Sequence, residues 1–405
     1  MTCEPRLTPA RRWRGSHLGW LLFLILVGFI AVLGSTEARA AMRLPLNPGV
    51  ADGVDETEED VENVGRVDIG LRGDYQRVDG LVLGLDQDFQ SRGEHGPRIR
   101  LAEAYAFHRQ RWLYEAGFEH PLLPRGFLLF GAGIFRRTSP FHGFDDRIVG
   151  EAENALAALL VKEDYRDYFE EEGGSVYLRQ QVGPGNTLEA GYLQSSHDPI
   201  ANHTRSSLTR WGEDFRPNPA AEPGELHAFT LRFERDTRFS KRLWGSTQWH
   251  RIEWERAGGG TGGDFEYSRL LADLRHYLKL SPGQMIAGRV LYATNLSGRL
   301  PLQKELALGG ISTLRGHNYK EFVGDQALLA NLEYRFDISR DFNLLTFVDV
   351  GATARGERRI DDQRFALDGG FGAGTRNERA VVTVARDLHR TDAPFKLSFR
   401  LGSAF

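Results

Sequence analysis

Cysteine is almost absent: the 405 residues hold one, Cys3, near the N-terminus. That excludes a disulfide framework and a cysteine-based metal site, and once the N-terminal segment is cleaved it excludes a thiol nucleophile too. Long apolar runs are equally scarce. Beyond residues 18–34 none approaches the length of a spanning helix, and mean hydropathy is −0.40, so a set of helical membrane spans is excluded. Neither charge sign dominates: 51 Lys and Arg stand against 55 Asp and Glu. This balance gives no reason to expect a nucleic acid partner. Catalytic signatures are missing as well. There is no His-Glu metal spacing, phosphate loop or Gly-x-Ser-x-Gly elbow. His203, His227, His250 and His276 are scattered over separate strands and loops. The Gly-rich run at 258–263 opens no helix and reads as a flexible loop. No catalytic residue, metal ligand or cofactor is expected, and the chain is not read as an enzyme.

The N-terminus reads as a secretory signal over residues 1–40. Arg6, Arg11, Arg12 and Arg14 precede an apolar run of 17 residues, and Ala38, Arg39 and Ala40 supply a small-x-small cleavage site. Removing this segment subtracts five Arg and two Glu, a net +3, and takes the charge from −4 to about −7. Residues 41–65 follow as an acidic linker. Asp52, Asp55, Glu56, Glu58, Glu59, Asp60 and Glu62 lie there without an apolar pattern, the composition of a disordered segment.

What the chain has is glycine, 46 residues, and an alternation of period two from Val67 almost to the end. Leu270, Ala272, Leu274 and Leu278 alternate with Arg269, Asp273, Arg275 and Lys279. A strand with leucine on one face and charge on the other suits a lipid-facing outside and a wet lumen. It suits a soluble sandwich less well. Counting such segments predicts sixteen strands, eleven before a long loop at 297–325 and five after it. The count has an internal check. The long connections, near 138–173, 197–224, 258–264, 297–325 and 354–363, all fall between an odd strand and the next even one. Omitting the first strand would put them all on the periplasmic side, whereas outer-membrane barrels carry long loops outside. One stretch breaks the pattern: Ala155, Leu156, Leu159 and Leu160 recur at helical spacing, predicting a helix over 151–171 in an outside loop. It is either a lid or partner-docking helix, or a loop helix packed over the rim. The last strand sets Phe395, Leu397, Phe399 and Leu401 against Lys396, Ser398 and Arg400 and ends on Phe405. A terminal aromatic strand behind a signal peptide points to a bacterial outer membrane.

The fold expected is therefore an all-β, 16-stranded antiparallel transmembrane β-barrel over 66–405, with one loop helix. The long loop at 297–325 carries Leu314, Arg315, Gly316 and His317. The strand after it shows Asn331, Glu333 and Arg335 on one face and Leu332, Tyr334 and Phe336 on the other. The strand after that holds Phe347, Asp349 and Gly351. Face counting turns Glu333 and Asp349 into the lumen, within reach of Arg315, whose planar fork can bind carboxylates bidentately. Gly316 and Gly351 permit close backbone approach.

These motifs resemble the bacterial surface-antigen superfamily of outer-membrane assembly barrels, the BamA-like and TamA-like proteins and two-partner secretion transporters. The resemblance covers about residues 65–405. It rests on the loop Arg-Gly, the strand with Glu333, Phe347-x-Asp349-x-Gly351 and the five strands after the loop. It implies that the loop enters the lumen and that Arg315 contacts Glu333 and Asp349. His317 departs from the Tyr or Phe usual there, which weakens packing at that residue and leaves the charge argument intact. Family members that insert or secrete proteins carry periplasmic domains before the barrel. Residues 41–65 leave no room for one, so the chain resembles a barrel-only branch.

Three functions follow as expectations. One is a barrel that helps insert or translocate a protein or lipid, through the lumen or through a weak seam between the first and last strands. Gly70, Gly73 and Gly402 lie on those two strands. The second is a passive channel or structural barrel plugged by loop 297–325. The third, catalysis, has no convergent residues behind it. Expected partners are outer-membrane lipid, the general barrel-assembly machinery for the chain's own insertion, and a periplasmic or membrane protein not identified by the sequence.

Overall fold

Alternation of period two becomes one antiparallel sheet because each strand can bury its charged face only against other charged faces and an inserted loop. The structure, a computed structural model, describes residues 66–401, less 92–95, 124–126, 142–149, 211, 239–245, 357 and 377–379. The expected signal peptide and acidic linker, with Gly402 and Phe405, lie outside the described residues. The sheet begins with β1 (Arg66–Gln76), β2 (Gly80–Gln90), β3 (Arg98–Ala106), β4 (Arg111–Pro121) and β5 (Leu128–Pro140). A helix, α1 (Glu151–Val161), precedes β6 (Tyr168–Gln181), β7 (Asn186–Pro199), β8 (Gly224–Asp236), β9 (Ser246–Ala257), β10 (Tyr267–Ser281) and β11 (Gln284–Gly298). Two short strands, β12 (Leu306–Leu308) and β13 (Phe322–Gly324), form a separate hairpin inside the long loop. The sheet resumes with β14 (Gln326–Asp337), β15 (Phe342–Ala354), β16 (Ala366–Thr375), β17 (Ala380–Asp387) and β18 (Lys396–Leu401).

The 16 sheet strands pair in chain order, β11 with β14 across the loop, as the alternation predicts. Among the described residues no ladder joins β1 to β18. The faces are inverted relative to a water-soluble protein. Leu71, Ile134, Leu332, Phe371 and Leu397 are exposed, while Asp273, Glu333, Asp349 and Asp368 are buried. An apolar outside over a charged inside is the arrangement of a barrel in lipid. Among the described residues, no helix is long and apolar enough to cross a membrane.

The loop between β11 and β14 fills part of the interior. Leu306, Leu308 and Leu314 from the loop form a buried cluster with Leu271 of β10, Leu291 of β11 and Leu329 of β14. Burial of this kind, at about 25 cal/mol per Å², supplies a non-directional attraction between the loop and the inner wall.

The helix differs from expectation in length and position. It ends at Val161, because Lys162 takes a left-handed conformation (φ 61°) whose N–H bonds back to Ala157. The expected stretch to 171 instead enters β6 at Tyr168. There Glu170, Glu171 and Glu172 have no apolar alternation but meet arginines: Arg109 and Arg111, Arg137, and Arg136 respectively. Nor does α1 simply cover the rim. Ala158 is fully buried against Tyr75 of β1 and Phe215, while Glu153 accepts the backbone N–H of Leu401 in β18. The helix thus contacts both strands that bound the sheet.

At the end carrying the long connections, separate loops are tied at Asp167. Its carboxylate meets Arg77 from the β1–β2 turn at 2.8 Å, Arg216 at 2.5 Å and Lys320 of the long loop at 3.2 Å. Burial works against the charge, but Lys320, Arg216 and Arg77 outweigh it and hold the Asp167 carboxyl down at about 2.

Two tests follow. Leu314→Ala removes a wholly buried side chain and is expected to cost about 2–4 kcal/mol, read as a lower temperature of the heat-modifiability shift on gels. A depressed carboxyl pKa contributes stability that is complete above the unfolded value of about 4 and is lost as pH falls towards 2. Protease cutting in these loops should therefore rise between about pH 4 and 2, and Asp167→Asn should show the raised cutting already at neutral pH.

Candidate functional site

The long loop ends its inward path at Arg315, which is 3% exposed. Its Nε and Nη2 donate to the two oxygens of Asp349 at 2.8 and 2.7 Å, a bidentate fork, and Nη1 donates to Glu333 at 2.7 Å. The Arg315 backbone N–H adds a bond of 3.2 Å to Asp349. Beneath the guanidinium lies the Phe347 ring, with its centroid 3.3 Å from Cζ. A planar cation on an aromatic face with both edges forked to carboxylates is a use of arginine that lysine cannot copy. Burial opposes the charge, and Asp349 and Glu333 more than offset it, so Arg315 holds its proton more tightly than a free arginine.

The strands prepare this site. Glu333 on β14, with Phe347, Asp349 and Gly351 on β15, occupies the buried face. Asn331, the direct cross-strand partner of Asp349, donates to its Oδ1 at 2.8 Å and to the Thr313 carbonyl at 2.8 Å. Arg335 bonds the second oxygen of Glu333. At Gly351 a side-chain carbon would sit 3.2 Å from Leu308 and 3.0 Å from a β-ladder carbonyl. Arg315 thus contacts both acids, and Gly351 admits the loop.

The row of lumen carboxylates is longer than sequence reading showed. Asp349 faces Asp368 of β16 across the ladder, and Asp368 faces Asp387 of β17. The loop tip lies along this row. Gly316 donates its N–H to Asp368 Oδ2 at 2.6 Å, and a Cβ at Gly316 would fall 2.5 Å from the Arg386 backbone. His317 stands with Nδ1 2.9 Å from Asp368 Oδ1 and Nε2 3.8 Å from Asp387 Oδ2. Its ring also packs edge-on against Phe322, centroids 5.0 Å apart. The departure from an aromatic residue therefore keeps ring packing and adds a polar function. Register counting from Asp349 across two turns would have found Asp368 and Asp387. Phe399 and Leu401, expected as a C-terminal strand signal, lie on β18 with Phe399 exposed on the apolar face.

A sequence model of the Omp85 superfamily domain matches residues 98–378. The outer membrane protein assembly factor BamA of Nitratidesulfovibrio vulgaris is 28% identical over 269 residues, covering 59% of this chain and 32% of that protein. The chain spans about a third of the length of that curated relative. Among solved structures, BamA from Haemophilus ducreyi lacking POTRA domains 1–3 is similar in fold. Its TM-score is 0.58 at 15% identity, over 97% of this chain and 80% of that one. CdiB from Escherichia coli gives a TM-score of 0.48 at 11% identity, over 92% and 68%.

Removing one partner of a buried, hydrogen-bonded ion pair costs about 3–5 kcal/mol. Arg315→Ala should therefore undock the loop, seen as new protease cutting between residues 299 and 325 and a lower melting temperature. Arg315→Lys should recover only part of the loss.

Proposed function

The chain belongs to the Omp85 superfamily, and on that premise we propose that it is an integral outer-membrane barrel that assists insertion or translocation of a protein or lipid. The observation that carries this reading is the loop tip held in the lumen by Arg315 against Asp349 and Glu333. A loop fastened inside by a few charge-assisted bonds at its tip gives a barrel whose interior can be rearranged by breaking one cluster. The first and last strands support the reading as well. They meet α1 rather than each other among the described residues, so few backbone bonds would have to break for β1 and β18 to separate. Partners of the proposed activity are outer-membrane lipid, the barrel-assembly machinery for its own insertion, and a client protein or lipid.

A channel or structural barrel plugged by the loop is the second reading. It draws on an interior cavity of about 430 Å³ lined by Arg72, Glu115, Arg136, Glu171, Arg269 and Lys304. Depleting the protein in cells is expected to lower the amounts of other outer-membrane barrels, measured by quantitative proteomics of outer-membrane fractions. An unchanged composition, together with a planar-bilayer conductance that rises strongly on Arg315→Ala, would favour the channel.

A further inference from the structure

We propose that His317, Asp368 and Asp387 form a binding site for a divalent transition-metal ion that clamps the loop tip to β16 and β17. Ligand atoms from the three residues lie within 4.8 Å of one another. They come from the loop and from two adjacent strands, so an ion here would join elements that Arg315 does not reach.

Three observations point to a cation. Asp368 and Asp387 are direct cross-strand partners, and like charges placed opposite one another destabilise a ladder. With the imidazole neutral, the pair carries the −2 that a divalent ion balances. Each carboxylate already has one oxygen fixed by a backbone N–H: Gly316 on Asp368 Oδ2 at 2.6 Å, and His389 on Asp387 Oδ1 at 2.8 Å. That leaves the other oxygen of each turned to His317, the outer-shell arrangement that orients metal ligands. Asp368 is fully buried, and its Oδ1 pairs with His317 Nδ1 at 2.9 Å. The imidazole and this carboxylate share a proton, which a divalent ion bound between them would displace.

The donor set of one imidazole and two carboxylates selects Zn²⁺ or Mn²⁺ over a soft ion. Bonds of about 2.1 Å require donors within about 4.2 Å of one another, so the set must close by a few tenths of an ångström. Asp387, at the end of β17 and less buried than Asp368, is the side chain placed to move. Three protein ligands leave a further position for water.

The test uses the full mature barrel without a polyhistidine tag, stripped with EDTA and titrated with Zn²⁺ and, separately, Mn²⁺. Stoichiometric binding of one ion by calorimetry and a melting temperature raised by several degrees are expected for the wild type. Both should be lost in Asp387→Asn and in His317→Phe, which keeps a ring against Phe322. The proposal is overturned if the wild type binds neither ion, if either variant binds as the wild type does, or if stability responds to pH alone and not to metal. Because it depends only on the docked loop, failure here leaves the reading of the barrel as an insertion or translocation factor to its own proteomic test.

Discussion

A charge turned into the lumen has lost much of its water and must find an opposite charge within bonding distance. That constraint organises the interior. Asp273 sits between Arg275 and Arg289 at 2.7 and 3.0 Å, and Glu253 lies among Arg232, Arg251 and Arg269. Along β14 and β15 the strands leave the matching unfinished. Asp349 has Asn331, and Glu333 has Arg335, yet the second charge is supplied only when the loop brings Arg315. Burial of Leu306, Leu308 and Leu314 draws the loop inward, while the carboxylates decide where its tip stops. The apolar term gives a non-directional attraction and the ionic term the position. Buried ion pairs characteristically divide the work this way, since desolvation cancels much of their Coulomb gain.

Much of this was legible from alternation alone. Asn331, Glu333 and Arg335 alternate with Leu332, Tyr334 and Phe336 on β14, and Asp349 stands between Val348 and Val350 on β15, so Glu333 and Asp349 could be assigned to the lumen without coordinates. That the loop turns inward and brings Arg315 to them was implied by the resemblance of its Arg-Gly motif to the surface-antigen superfamily, not by alternation. Strand number and order were fixed by the same rule, checked by which connections are long. The rule fails where a strand is polar on both faces. The run from Glu170 to Glu172 offers no period, and only arginines on neighbouring elements reveal it as β6. The end of α1 depended on one left-handed lysine, a conformation for which Lys162 gives no sequence signal.

Features made by several loops together were illegible for a different reason. Asp167, Arg77, Arg216 and Lys320 are up to 243 residues apart in the chain, and nothing local marks any one of them. The β12–β13 hairpin has three pairs, too few for alternation to stand out. Asp368 and Asp387 were legible in principle, since each lies on an inward position of a recognised strand, but their relation to the loop appears only when register is carried across two turns.

The row Asn331, Asp349, Asp368 and Asp387 crosses four strands at one level. Strand side chains alternate, so a slip of one residue in β15, β16 or β17 would turn that strand's aspartate into the bilayer. It would also leave part of the Arg-Gly-His tip facing apolar side chains. The tip therefore fits only a sheet whose strands have paired in the right register. The inward loop is thus a gauge of register: a sheet with one of these hairpins misaligned cannot seat it, so the docked state vouches for strands that the tip itself does not belong to.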